Sequence, residues 1–339
     1  MAAPKISRRA FIRLVMLGGI GAGLAYYHRL TQPLGEVTFT RWMLRGRYQQ
    51  FAGKKAIVAL GESSSYQDDL VKQLSDLFKL GELPDVRGLK VLVKPNMVDK
   101  VGQYLTTTAP EVIAALVDVL NELGASQVTV GDGPAFHRDA TSIARNIGLD
   151  ELLRQRGMQF VDLNYDDPQP IPVKDGWISR SDVIWLPKHV VEADLIISVP
   201  KMKTHHWAGV SLSLKNLLGL FPGMRYGWPK NTIHFNGITS SILGLYQILP
   251  PVVAVVDGIV GMEGDGPLAG TPVQHSVLAV GKDAVAVDVT CASLMGFDMY
   301  EVDYLSMAAW AGIGQTRRIE TRGIQPEKFR KQYERPPKM

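Results

Sequence analysis

The chain has 339 residues, 37 Lys+Arg against 33 Asp+Glu, and one cysteine. That length suits one large α/β unit or two intimate lobes. With 46% hydrophobic and 21% charged residues, a disordered chain is excluded. Cys291 alone excludes an intrachain disulfide, a cysteine-based zinc site and an iron–sulfur cluster ligated by this chain alone. The net charge of +4 conceals basic ends, +7 over residues 1–50 and +5 over 317–339, which leave −8 for the middle. Phosphate binding needs a basic face on the fold itself, so no nucleic-acid partner is expected.

In chain order, Ser7-Arg8-Arg9-Ala10-Phe11 precedes an apolar, glycine-rich run over residues 14–27. A positive region followed by an apolar run of this length reads as a signal peptide, too short for a comfortable spanning helix. The paired arginines resemble the bacterial twin-arginine signal, a receptor-read address rather than an anchor. That resemblance implies export by the twin-arginine translocase, to the periplasm or the outer face of the cytoplasmic membrane. Gly23-Leu24-Ala25 offers a small-x-small cleavage site. Residues 1–27 are thus a signal peptide or, if uncleaved, a membrane tether, and residues 28–53 a linker or arm.

From residue 54 the pattern is regular. Strands are expected at 56–60, 90–93, 127–130, 159–163, 194–199, 252–256 and 276–280. Helices are expected at 110–123, 141–155 (interrupted near Gly148), 210–220, within 232–249, at 284–295 and at 300–311. Short continuous apolar strands separated by helices predict an α/β fold, a mostly parallel sheet with helices on both faces. The α/β domain spans residues 54–300, and 301–339 form a C-terminal helix and a basic tail.

Polar clusters lie at the strand ends: Lys94–Asn96, Gly131–Pro134, Lys201–His206 and Asp257–Asp265. In a parallel sheet all carboxyl ends open on one edge, so Lys94, Asp132, His205 and Asp257 are expected to border one crevice. Pro200-Lys201-Met202-Lys203-Thr204-His205-His206 is the densest cluster. A helix from Val210 would place Lys215 and Asn216 a turn further on, and its amide donors would favour an anion. His205, His206 and His234 suit proton transfer or metal ligation. Gly131-Asp132-Gly133-Pro134 lacks a dinucleotide fingerprint, because Pro134 removes an amide donor. The glycine-rich stretch 257–267 reads as a flexible lid over the crevice. Asp283 reads as a helix cap, and Asp288, inside an apolar helix, would need a buried partner or a ligand.

Seven motifs in order resemble the domain-of-unknown-function family numbered 362 over residues 54–300. They are Lys94-Pro95-Asn96, Gly131-Asp132-Gly133, Pro200 to His205, Leu214-Lys215-Asn216-Leu217-Leu218-Gly219, His234, Val256-Asp257-Gly258 and Asp283 to Asp288. Some members carry a ferredoxin-like cysteine-rich segment that this chain lacks. A second, local resemblance joins His205-x-x-Ala208-Gly209-x-Ser211, Lys215, Pro222-Gly223 and His234 to the lactate racemase family. It implies Lys215 as the attachment point of a nickel–pincer cofactor, His205 as a proton-transfer residue and His234 as a metal ligand.

The expected site therefore has His205 and Lys215 as catalytic residues. Lys94, Asn96, Asp132, Lys201, Lys203, Asn216 and Asp257 would bind the ligand or cofactor, and His234 a metal. The expected partner is an anionic small molecule, with a metal ion or a nickel-containing cofactor as the candidate cofactor. The chemistry is racemase- or isomerase-like proton transfer, or redox. The alternative is a non-catalytic periplasmic ligand-binding or cofactor-maturation protein.

Overall fold

The computed structural model describes residues 54–98, 105–135, 139–173, 182–228, 230 and 237–336. The signal segment, the arm and His234 lie outside these. β1 (Ala56–Glu62) is followed by α1 (Leu70–Leu80), β2 (Lys90–Pro95), α2 (Pro110–Glu122), β3 (Gln127–Asp132), α3 (Ala140–Asn146), α4 (Leu149–Arg154) and β4 (Phe160–Asp162). The antiparallel pair β5 (Pro168–Pro172) and β6 (Val183–Pro187) and the short α5 (Lys188–Val191) lead to β7 (Leu195–Val199). Next come β8 (Lys201–His205), β9 (Gly209–Ser211), α6 (Ser213–Asn216), α7 (Gly223–Tyr226), α8 (Ile238–Ile248), β10 (Val252–Glu263) and β11 (Thr271–Gly281). The chain closes with α9 (Ala284–Leu294), α10 (Asp303–Ala311), β12 (Ile319–Gly323) and α11 (Pro326–Phe329).

The large sheet has the order β12-β1-β11-β10-β7-β2-β3-β4, with β8 and β9 attached to β10. Only β9 and β11 run against the other strands, so the sheet is mostly parallel. Side chains alternate across it, as the two-residue period of a strand requires. Val91 and Val93 enter one core with the buried faces of α1 to α4, whereas Leu92 enters the other with α6, α8, α9 and α10. Both faces are covered, which is why the strands read as unbroken apolar runs. Gly148 takes a left-handed backbone (φ 82°) and separates α3 from α4, as the interruption in the sequence pattern predicts.

Three expectations need correction. The leucine-rich stretch 210–220 is not one helix. Val210 and Ser211 belong to β9, turned back by Gly209 at φ 75°, and α6 is four residues long before a 3-10 turn at Leu217–Leu220. Of the glycine-rich stretch 257–267, expected as a lid, the residues up to Glu263 are the outer half of β10, and only the turn beyond it, which ends at Pro267, borders the strand-end cavity. A side chain at Gly258 would meet Met202, and one at Gly261 the Tyr333 hydroxyl, so these glycines serve close packing. Residues 301–339, expected as a helix and basic tail beyond the α/β domain, extend its sheet: β12 pairs with β1, and the Lys331 and Tyr333 amides donate to Leu294 and Met295 carbonyls. The helix α1, capped by the Asp69 carboxylate on the Lys72 amide, was not expected from the sequence.

Candidate functional site

The parallel strands deliver their ends to one edge, and there a cavity of about 110 Å³ opens. Of the expected residues, Lys94, Asn96, Asp132, Lys203, His205, Lys215 and Asn216 line it. Lys94 is the last residue but one of β2, and Asp132 ends β3. Their side chains meet at 2.5 Å, both almost wholly buried. Lys94 Nζ also donates to Asn216 Oδ1 (2.9 Å) and the Pro95 carbonyl (2.9 Å). Asp132 accepts from the amides of Met97 and Gly133, each at 2.8 Å. This network fixes the floor of the cavity.

Lys203 comes from β8 and donates to the Thr106 carbonyl at 2.8 Å. Burial, reinforced by Lys215 and Lys201, pushes its ammonium well below the ordinary range. Lys215, on α6, has neither hydrogen bond nor ion-pair partner among the described residues. Burial and then Lys94 bring it down to about 8. Lys230, which sequence reasoning passed over, also lines the cavity. It donates to the carbonyls of Gly133 (2.7 Å) and Gly219 (3.1 Å), and burial brings it down to about 7. Four lysines thus meet one carboxylate, Asp132, among the described lining residues. The side-chain oxygen of Asn96 is buried there with no partner, and a flipped amide would present a donor instead.

The two histidines are held in opposite tautomers. The Trp207 amide donates to His205 Nδ1 (3.1 Å), so the proton of the neutral ring sits on Nε2. His206 Nδ1 lies 2.9 Å from the Gly266 carbonyl oxygen, which only accepts, so Nδ1 carries the proton and Nε2 keeps its lone pair. Both rings line the cavity, with centroids 5.0 Å apart. The β8–β9 turn, which begins at His205, brings both rings to the cavity.

Lys201 and Asp257 are corrected: they pair at 2.7 Å, wholly buried, and do not line the cavity. The register explains this. Asp257 faces Lys201 and Met262 faces Lys203, so an irregularity in β10 splays β8 between its two lysines. The Tyr66 hydroxyl closes the pair off, accepting from Lys201 (2.6 Å) and donating to Asp257 (3.1 Å). His234, the expected metal ligand, lies outside the described residues. Among the described residues no three His, Cys, Asp or Glu side chains gather as a metal site. The cavity falls below the roughly 300–1,000 Å³ usual for organic ligands and cofactors and suits a small anion.

The family model described as domain of unknown function, DUF362, matches residues 91–293. The chain is 27% identical over 270 residues to a thylakoid-associated protein of Synechocystis sp., covering 76% of this chain and 80% of that one. Among solved structures it is similar to the lactate racemase apoprotein from Thermoanaerobacterium thermosaccharolyticum, with a TM-score of 0.44, 15% identity, and 71% of this chain and 57% of that one covered. A Thermotoga maritima protein gives a TM-score of 0.34 at 15% identity, with 62% and 55% covered. The chain spans a little over half the length of these two solved chains. The family match covers more than half of the sequence, and the chain belongs to the DUF362 family.

Proposed function

We propose that this DUF362 protein binds a small anionic molecule, a carboxylate or phosphate-type oxyanion, in the lysine-lined cavity and moves a proton on it. The observation that carries this reading is the charge balance of Lys94, Lys203, Lys215 and Lys230 against Asp132. An isolated buried charge is costly, and an anion entering the cavity offsets that cost. Lys215 is the foremost anion-binding residue, since its ammonium has no partner among the described residues to give up. His205 offers a proton from Nε2 and His206 a lone pair at Nε2, so one ring can donate while the other accepts.

This pairing favours turnover over storage, although the same cavity would serve a non-catalytic binding protein. Purified protein incubated in heavy water with a panel of small carboxylates separates the two. Proton transfer at carbon appears as deuterium in the recovered carboxylate and disappears in His206→Ala. Tight binding without exchange supports the binding protein and removes the proton-transfer half.

The protein is further proposed to be exported by the twin-arginine route. Support comes from Arg8-Arg9 and the apolar run after them, and from a relative whose name places it at thylakoids. No helix of the described residues is long and apolar enough to cross a membrane. Replacing Arg8-Arg9 by two lysines should retain the protein in the cytoplasm on fractionation; unchanged export would refute the route.

A further inference from the structure

We propose that Asp288 is a positioning residue for Lys215, its carboxylate on α9 capping α6 from across the chain and fixing the lysine at the cavity wall. This role rests on the anion-binding reading of the cavity. Asp288 is wholly buried. Its Oδ1 accepts from the Ser213 amide (2.8 Å) and its Oδ2 from the Leu214 amide (2.9 Å), 75 and 74 residues away. These are the first two residues of α6, whose amides have no partner within a helix. Leu212, just before them, supplies no side-chain cap.

A four-residue helix has almost no stability of its own, so tertiary contacts must hold it. Its far end is tied down by Asn216, which accepts from Lys94 Nζ and donates through Nδ2 to the Lys94 carbonyl (3.0 Å) and Ser198 Oγ (3.1 Å). Ser198 Oγ in turn donates to the Ser213 carbonyl at 3.0 Å. Lys215 therefore sits between a residue held by the sheet and two amides held by Asp288. An apolar side chain at position 288 would suit α9, which is buried on nearly every side. The carboxylate gives up that ease of burial for two charge-assisted hydrogen bonds to the site helix.

The titratable groups around Asp288 are Asp283, which caps α9, Cys291 on α9, Tyr246 on α8 and Tyr304 on α10, and none of these described groups is a cation. Burial, opposed by the two amides, brings the carboxyl up to about 7. Protonation replaces an acceptor by an O–H facing an N–H, which loosens the start of α6.

Sulfate is the probe, because it does not titrate near neutrality. Calorimetric titration of the whole protein from about pH 5.5 to about pH 9 should show two limbs. Alkaline loss follows the lysines, and acid loss follows Asp288. In Asp288→Asn, affinity at pH 8 should fall about tenfold, near 1.4 kcal/mol, with no further acid-side loss. Hydrogen exchange of the Ser213 and Leu214 amides should quicken in that variant. Ser213 and Leu214 amide protection factors that do not fall toward acid in the wild type overturn the proposal, even if the variant fails to fold. So does an Asn variant with wild-type affinity and profile while Lys215→Met has lost sulfate. Absence of sulfate binding by folded wild type overturns the anion reading itself, and the positioning role with it.

Discussion

Two buried lysine–carboxylate pairs tie neighbouring parallel strands together, and only one of them borders the lysine-lined cavity. Lys94–Asp132 joins β2 to β3, and Lys201–Asp257 joins β8 to β10. Both are almost inaccessible to solvent, and both are well supplied with hydrogen bonds. Lys201–Asp257 is sealed by Tyr66 and by the Ala109 amide, which donates to Asp257 Oδ2 at 3.0 Å. Its charges balance within the pair. Lys94–Asp132 floors a cavity that three further lysines line. A buried ion pair alone is therefore weak evidence of function; the unbalanced charge around it is what separates a platform from a lock.

The largest effect should come from breaking the lock. Asp257→Ala leaves Lys201 buried without its carboxylate and should cost about 3–5 kcal/mol in urea unfolding. The double replacement Lys201→Met with Asp257→Leu should recover most of that loss, because a well-packed apolar pair replaces a buried ion pair with little penalty. A double variant as unstable as the single one would show that the pair is more than a lock. At the platform, Gly219→Ala drives a methyl group against the Asp132 carboxylate and the Lys94 ammonium. It should cost about 1–3 kcal/mol and abolish anion binding together. Retained binding there would detach the platform from the site.

Lys215→Met sharpens the comparison further, since it should remove anion binding while raising the Tm of the anion-free protein by about 2–4 °C. The sign comes from proton counting. Folded Lys215 titrates near 8 against an ordinary value of 10.5, so the unfolded chain binds more protons between those values. Stability of the anion-free wild type should therefore rise with pH across that window, and thermal melts of the Met variant should show less of the rise. A variant less stable than wild type at every pH would contradict this. The smallest effect belongs to the exposed pair Lys72–Asp76 on α1, whose removal should change stability by less than about 0.5 kcal/mol.

Residues at the ends of central strands were legible from the sequence because both sheet faces are covered. Apolar runs such as Lys90–Val93 and Leu195–Val199 stand out, and the polar residues at their carboxyl ends fall on one edge of the sheet. Lys94, Asp132 and His205 were found in this way. The sequence could not show that a register irregularity in β10 sends Lys203 to the cavity and Lys201 away from it. Nor could it show that the glycines of β10 accommodate Met202 and Tyr333 rather than confer mobility. Lys230 carried no local signal: it has a left-handed backbone (φ 65°) and meets the cavity through the Gly133 and Gly219 carbonyls. The helix at Val210 was misread because leucine spacing cannot distinguish a helix from a short hairpin and a single turn. Asp288 was legible as a buried acid in need of a partner, but its partners are backbone amides about 75 residues away.

The central claim is that an anion supplies the charge that the four lysines lack. Calorimetry of acetate and sulfate binding at about pH 8.5, repeated in buffers of different ionisation enthalpy, tests it most directly. Anion binding should draw protons onto Lys215 and Lys230, giving net proton uptake that shrinks in Lys230→Met. Binding with no proton uptake, or uptake unchanged in that variant, would contradict the account.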